Sequence, residues 1–285
     1  MTPTSKLAAQ MLRRDFASEI SQPDEAIRLE YAALLIAAED EAHLHVDVRE
    51  SLSSLSLLGI EAGKRVAAAP GEAVEAFNDF MFEETGFAGN QLNYYDPANS
   101  YLNRVLERRM GIPITLSIVY MNVGRRAGLE VDGIGLPGHF IVRARESDAL
   151  ESTLVDPFHG KTLEQEDCQD RLDAVYNGQV ALSDEHLRAA TTSEILVRLL
   201  MNLKAIYARA NLYRQTLAVI DRILLLTPLA PVEHRDRSII LAQLERLPEA
   251  IAEMEAYLQM EADAADAEQV REQLHALKRR QAMKN

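Results

Sequence analysis

The chain has no tryptophan, a single cysteine and an aromatic share of only 6%. With Cys168 alone, no intramolecular disulfide can form. Basic residues are also scarce. Lys plus Arg number 30 against 44 Asp plus Glu, a formal net charge of -14, so the surface should repel phosphate backbones and anionic lipid. Neither nucleic acid nor a membrane surface is an expected partner. Long hydrophobic runs are missing too: no window approaches the roughly 18 apolar residues of a spanning helix. The stretch from Met1 to Arg14 lacks the apolar core of a secretory signal, so a reducing cytoplasm is the expected location.

What is present is ample core material. At 285 residues with 47% hydrophobic content, two domains are expected. From Asp24 to Phe87 the pattern is helical, with Leu29, Ala32, Leu35 and Ala38 at spacings of three and four and a break at Ala67 to Gly71. His43 and His45 sit beside acidic residues there, but without a third ligand nearby they read as solvated rather than metal-bound.

Between Gly89 and Leu163 the texture changes. Asn99 and Ser100 suit the cap of a helix through Tyr101, Val105 and Leu106, with Gly111 ending it from the left-handed position. Pro113 suits the first turn of a second helix, and Ile114 to Val123 make that helix apolar nearly all round, as expected of a core element. Gly128 should stop it. Two short strands, Glu130 to Leu136 and His139 to Arg145, follow on either side of Pro137 and Gly138. The second should form a hairpin with Thr153 to Asp156. If its loop centres on Ser147 and Asp148, positions summing to about 295 face each other, which opposes His139 to Asp156 on one face.

From Ser193 onward the chain is helical, and two stretches align without gaps at the 34-residue period of tetratricopeptide repeats. Ala208 matches Ala242, Leu217 matches Ile251, Ala218 matches Ala252 and Leu224 matches Leu258. The four alanines are expected at close helix contacts. The more polar stretch from Ala264 to Arg280 reads as a capping helix.

A histidine oriented by a carboxylate is the base half of a nucleophile–His–Asp triad. Its nucleophile belongs at a helix N-terminus, where the dipole lowers a thiol's pKa. Here that helix opens with Gly111-Ile-Pro113, and proline has nothing to offer. Thr115 and Ser117 are weak substitutes: Ser117 lies about one turn, roughly 5–6 Å, deeper than Pro113, and a buried Thr hydroxyl usually bonds a backbone carbonyl. Cys168 lies between Asp167 and Asp170 and is expected to be a surface thiol, the only one an electrophile could label. His159 could join His139 and Asp156 as a metal ligand. Strand alternation from Asp156 would put it on the opposite face, although Pro157 interrupts the strand, and no metal or cofactor is expected.

The segments Gly89-Asn90, Tyr94-Tyr-Asp-Pro97, Asn99-Ser-Tyr-Leu-Asn103, Val105-Leu-Glu-Arg-Arg109, Gly111-Ile-Pro-Ile-Thr-Leu-Ser117, Leu136-Pro-Gly-His-Phe140 and Asp156-Pro-Phe158 resemble the SirB-type transglutaminase-like proteins with C-terminal tetratricopeptide repeats. That family is bacterial and related to part of some eukaryotic F-box proteins. The resemblance implies a mostly helical α+β chain. A degenerate, papain-like transglutaminase domain with a small antiparallel sheet would occupy residues 1–190, and an α-helical tetratricopeptide array residues 191–285. It places the nucleophile on Pro113 and leaves His139 and Asp156 as vestiges of a triad. The family usually continues Asn-Gly-Gly after Asp156-Pro-Phe158, where this chain has His159-Gly160-Lys161.

Two functions compete on these residues. One is a non-catalytic regulatory protein that binds a protein or peptide through the repeat surface. The other is a hydrolase or acyltransferase that uses a substitute nucleophile with His139 and Asp156. The oligomeric state is not readable from the sequence.

Overall fold

The computed structural model describes residues 3–39 and 46–284, so His43 and His45 lie outside the described residues. The chain is mostly helical and divides into two compact units, Met1–Leu199 and Leu200–Asn285.

The first unit opens with α1 (Pro3–Ile20), α2 (Leu29–Glu39), α3 (Val48–Ala68) and α4 (Ala73–Asp79). Asp47 caps α3 by accepting from the N–H groups of Arg49 and Glu50, which answers two of its orphan donors. The two-residue strand β1 (Ala88–Gly89), then α5 (Leu102–Arg108), β2 (Met110–Gly111) and α6 (Pro113–Arg126) come next. Residue 113 is the first helical position of α6, and every side chain from Pro113 to Met121 is buried. Strands β3 (Leu129–Ile134), β4 (Ile141–Glu146), β5 (Thr153–Asp156) and β6 (Lys161–Leu163) form one antiparallel sheet in chain order, and α7 (Gln165–Tyr176) follows. Gly128, with φ +95°, turns the chain from α6 into β3.

Two local expectations are corrected. The left-handed residue that ends α5 is Arg109 (φ 56°), and the turn's cap is Tyr101 without a side-chain bond. Gly111 instead lies in β2, paired parallel to Gly89. Its lack of a Cβ serves packing, since a methyl there would come within 2.7 Å of Thr115 Oγ1. The hairpin register is also shifted. Val142 faces Val155 and Ala144 faces Thr153, so paired numbers sum to 297, because the turn from Ser147 extends through Leu150 and beyond. A shift of two keeps each side chain on its face.

In the second unit α8 (Thr192–Arg209), which begins in the first, is followed by α9 (Tyr213–Leu226), α10 (Pro231–Gln243), α11 (Leu247–Met260) and α12 (Ala267–Ala282). The 34-residue period is visible in the backbone. Asn211 and Glu245 are both left-handed, at φ 54° and 59°. The N–H of Leu212 bonds the carbonyl of Tyr207, and that of Arg246 bonds Leu241, at 2.9 and 3.0 Å. Leu217, Ile220, Leu241, Ile251, Met254 and Val270 share one core, as the periodic reading requires.

The alanine contacts are not where the alignment put them. Ala242 is buried and Ala218 half-buried, whereas Ala208 and Ala252 face solvent. The small residue at the helix contact is Ala250, fully buried, whose carbonyl accepts the Ser238 hydroxyl at 2.6 Å. Its repeat partner is the buried Thr216. Two positions along a helix turn a side chain through roughly 200°, which separates Ala250 from Ala252. Ala250→Leu should therefore cost about 1–3 kcal/mol by overpacking, while Ala252→Leu should stay within about 0.5 kcal/mol of wild type. Urea unfolding of both variants checks this, and equal stabilities would argue against the repeat packing.

Candidate functional site

The site is built around the turn that follows β5. Pro157 cannot extend the strand ladder, and the Asp156 carbonyl accepts the N–H of Gly160 at 2.9 Å. One carboxylate oxygen of Asp156, Oδ1, accepts the N–H groups of Phe158 and His159 at 3.0 and 3.3 Å. This Asx-type turn folds His159 back onto its own aspartate. His159 therefore does not follow strand alternation. Its Nδ1 lies 2.7 Å from Oδ2, the second oxygen, and donates to it, since a carboxylate can only accept.

His139 reaches the same oxygen from the other side. It sits before β4, just beyond Gly138 (φ +71°), and its own N–H bonds the carbonyl of Leu136 at 3.1 Å. Arg198 pins this turn by donating to the carbonyls of Leu136 (2.9 Å) and His139 (2.7 Å). The His139 Nε2 is 3.0 Å from Asp156 Oδ2, but off the line of a good hydrogen bond, so it is a close charge contact rather than an aligned bond. Arg171 of α7 also donates to this oxygen, its Nη2 lying 2.6 Å from Oδ2.

Asp156 thus has no solvent exposure and spends both oxygens. Burial pushes its carboxyl pKa up, but the close charge contact of His139 and the hydrogen bond and charge of His159 outweigh that and hold it well below the usual carboxylate range. His139, Asp156 and His159 place one ligand atom each within 4.8 Å of one another, a spacing a metal ion could span. Arg171 already supplies a positive charge at the shared oxygen, and a divalent ion there would have to displace the guanidinium or sit beside it.

The N-terminus of α6 connects to this turn through backbone bonds. The N–H of Asn90 bonds the carbonyl of Gly111, and that of Gly89 bonds Phe158 at 3.0 Å. A Cβ on Gly89 would lie 2.5 Å from Phe158, so only glycine lets these segments meet. Thr115 is engaged: its Oγ1 accepts from the Ile112 N–H at 3.1 Å and donates to the Asn99 carbonyl at 2.7 Å, closing the helix end. Ser117 Oγ is fully buried and has no hydrogen-bond partner.

Cys168 is not the surface thiol expected. It is fully buried among Ile134, Leu136, Ile141, Leu163 and Leu187, because it occupies the inner face of α7, which Leu172 continues four residues on. Burial, more than its acidic neighbours, pushes its pKa up.

A family model described as the transglutaminase-like superfamily matches residues 42–201. The chain belongs to that superfamily. A tetratricopeptide-repeat model matches residues 203–275. Among relatives, a UPF0162 protein of Xylella fastidiosa (strain 9a5c) is 35% identical over 93% of this chain and 95% of its own length. Protein SirB1 of Salmonella typhimurium is 25% identical over 96% of this chain and 91% of its own length, in keeping with a SirB-type family. The human F-box only protein 21 is 30% identical over 34% of this chain and 17% of its own length. No solved structure matches.

Arg171 and Arg198, which orient the transglutaminase-like site, were missed in the sequence. Arg171 could have been found: it lies beside Cys168 and Leu172 on the one apolar stripe of α7. Arg198 carries no local signal, since its bonds span about 60 residues of chain.

The Asp156 pKa fixes the sign of the acid response. Its folded value lies below the ordinary 3.8, so its contribution is complete above 3.8 and is lost as pH falls below it. Melting temperature should drop over that range, and the slope should flatten in Asp156→Asn. That variant also strands Arg171 and should lose about 3 kcal/mol near neutral pH. Iodoacetamide should not label the native protein and should label Cys168 only in denaturant; fast labelling of native protein would contradict the burial.

Proposed function

We propose that the protein is a non-catalytic binding or regulatory protein, with the transglutaminase-like unit as platform and the repeats as the surface that receives a protein or peptide. The observation that carries this reading is Pro113 at the first position of α6. That is where the superfamily's nucleophile is expected, and proline has neither thiol nor hydroxyl. The other candidates support the same conclusion. Thr115 is committed to closing the helix, Ser117 is sealed in the interior and Cys168 belongs to a different core cluster. His139 and Asp156 would then act as a structural cluster that holds the β5–β6 turn against the turn before β4.

Tetratricopeptide arrays stack helix pairs into extended binding surfaces. Leu229, between α9 and α10, and Val232, in the first turn of α10, are large apolar side chains left in solvent on this array and are offered as partner contacts. Among the described residues no helix is long and apolar enough to cross a membrane. With the net charge of -14, this favours a soluble cytoplasmic partner of basic or apolar character.

The competing reading is a hydrolase or acyltransferase working through His139 and Asp156. Chromogenic ester and amide substrates separate the two: wild type and His139→Ala should give the same background rate. Turnover that depends on His139 would overturn the proposal and direct attention to Ser117. In a Cys168→Ser background, Pro113→Cys should gain reactivity towards iodoacetamide near neutral pH through the helix dipole and the imidazole. Adding His139→Ala should remove that gain.

A further inference from the structure

Nitrogen atoms from His139, His159 and Arg171 converge on Asp156 Oδ2, an oxygen with only a pair of lone pairs to give. His159 Nδ1 at 2.7 Å and Arg171 Nη2 at 2.6 Å donate to it and fill both. His139 Nε2, 3.0 Å away, is left over: it is buried and has no hydrogen-bond partner. Neither neutral tautomer mends this. A proton on Nε2 finds no free lone pair, and a bare Nε2 sets its own lone pair against a carboxylate oxygen. Charging the ring adds attraction but still makes no aligned bond. A buried nitrogen so placed forfeits its hydration without return.

A metal ion among these groups settles the conflict. Both imidazoles would turn a bare nitrogen onto the ion, the ion would take one lone pair of Oδ2, and Arg171 would keep the other. Strand alternation argued against His159 as a ligand, and the Asx turn removes that objection. The spacing suits an ion too. His139 Nε2, His159 Nδ1 and the Asp156 oxygen lie within 4.8 Å of one another. Neighbouring ligand atoms around a metal with bonds of about 2.1 Å stand about 3.0 Å apart in an octahedral site and about 3.4 Å in a tetrahedral one. The Oδ2 contacts of 2.7 and 3.0 Å need only a small opening to match. His159 can provide it, since its side chain is 38% exposed on the turn after β5, and that exposure also gives an ion a way in. Imidazole nitrogens with a carboxylate oxygen select a late first-row dication such as zinc over magnesium or calcium, which need mostly oxygen.

We propose that His139, Asp156 and His159 form a zinc site, in which the ion clips the β5–β6 turn to the turn before β4. Arg171 holds the remaining lone pair of Oδ2 beside it. The site does not depend on the non-catalytic reading, because it concerns binding and not turnover.

The test is a zinc titration of the full chain, without a histidine tag, against a chromophoric chelator. His43 and His45 stand beside acidic residues in the sequence, so both are first replaced by Gln to leave this cluster as the site tested. A single equivalent of zinc should bind, with magnesium and calcium weaker by about tenfold or more. Melting temperature should rise with zinc concentration. His159→Asn should weaken zinc binding by about tenfold or more and should remove the d–d absorption of the cobalt-loaded protein. His159 is partly exposed, so that variant folds even if His139→Ala does not. The proposal is overturned if no stoichiometric zinc binds, if magnesium or calcium binds as tightly, or if His159→Asn keeps the full affinity. Any of these would leave the Pro113 argument untouched, whereas ester turnover that depends on His139 would overturn that argument and not this one.

Discussion

The geometry of the transglutaminase-like site rests on one buried carboxylate. Asp156 accepts two backbone N–H groups on one oxygen and is approached by three cationic or potentially cationic side chains at the other. A group so placed is a constraint before it is a reagent. It shapes the β5–β6 turn, anchors α7 through Arg171 and fixes the facing turn through His139. Removing an ion from water is costly, and an unpartnered carboxylate with no solvent exposure would shift towards its neutral form. The convergence of donors keeps it charged, and the same convergence orders segments that are distant in sequence.

Seen from that carboxylate, the difference between a catalytic and a vestigial triad is small in structural terms. His139 and Asp156 have a folding role that needs no nucleophile beside them. Pro113 suits the other side of this division. It removes an N–H that no helical carbonyl would have bonded and supplies the dihedral angle that α6 needs at its start. Pro113 starts the helix, and Thr115 completes that start by spending its hydroxyl on the same helix end.

The sequence made the long-period and strongly patterned parts of the chain legible. The apolar run of α6, the glycine that ends it and the strand Thr153 to Asp156 follow from periodicity and turn chemistry alone. The 34-residue repeat was visible because side-chain packing imposes it. Its phase within each helix was not: alanines occur on exposed faces as readily as on buried ones, so Ala252 matched Ala218 without marking the contact that Ala250 makes. At the site, the proximity of His139 and Asp156 was readable although the register was off by two, since an even shift preserves the face. What escaped was whatever depended on a turn or on distant chain. His159 returns to Asp156 through an Asx turn, α7 shows only a thin stripe of Cys168 and Leu172 amid polar residues, and Arg198 acts from another region altogether.

The matched turns of the repeats differ in one respect. Asn211 adopts the left-handed conformation at little cost, because its short amide tolerates it, whereas Glu245 has no such excuse. Yet Glu245 is the residue whose carboxylate reaches Arg280 at 3.1 Å and also Lys284, beyond the end of α12. The backbone turn itself is common to both repeats, the N–H of Arg246 bonding Leu241 as that of Leu212 bonds Tyr207, but the Glu245 pairs to Arg280 and Lys284 tie this one to the terminal helix, so α12 cannot peel away without breaking them. The α10–α11 turn and the capping helix should then open as one cooperative unit, so the outer end of the array behaves as a latch rather than as a frayed tail.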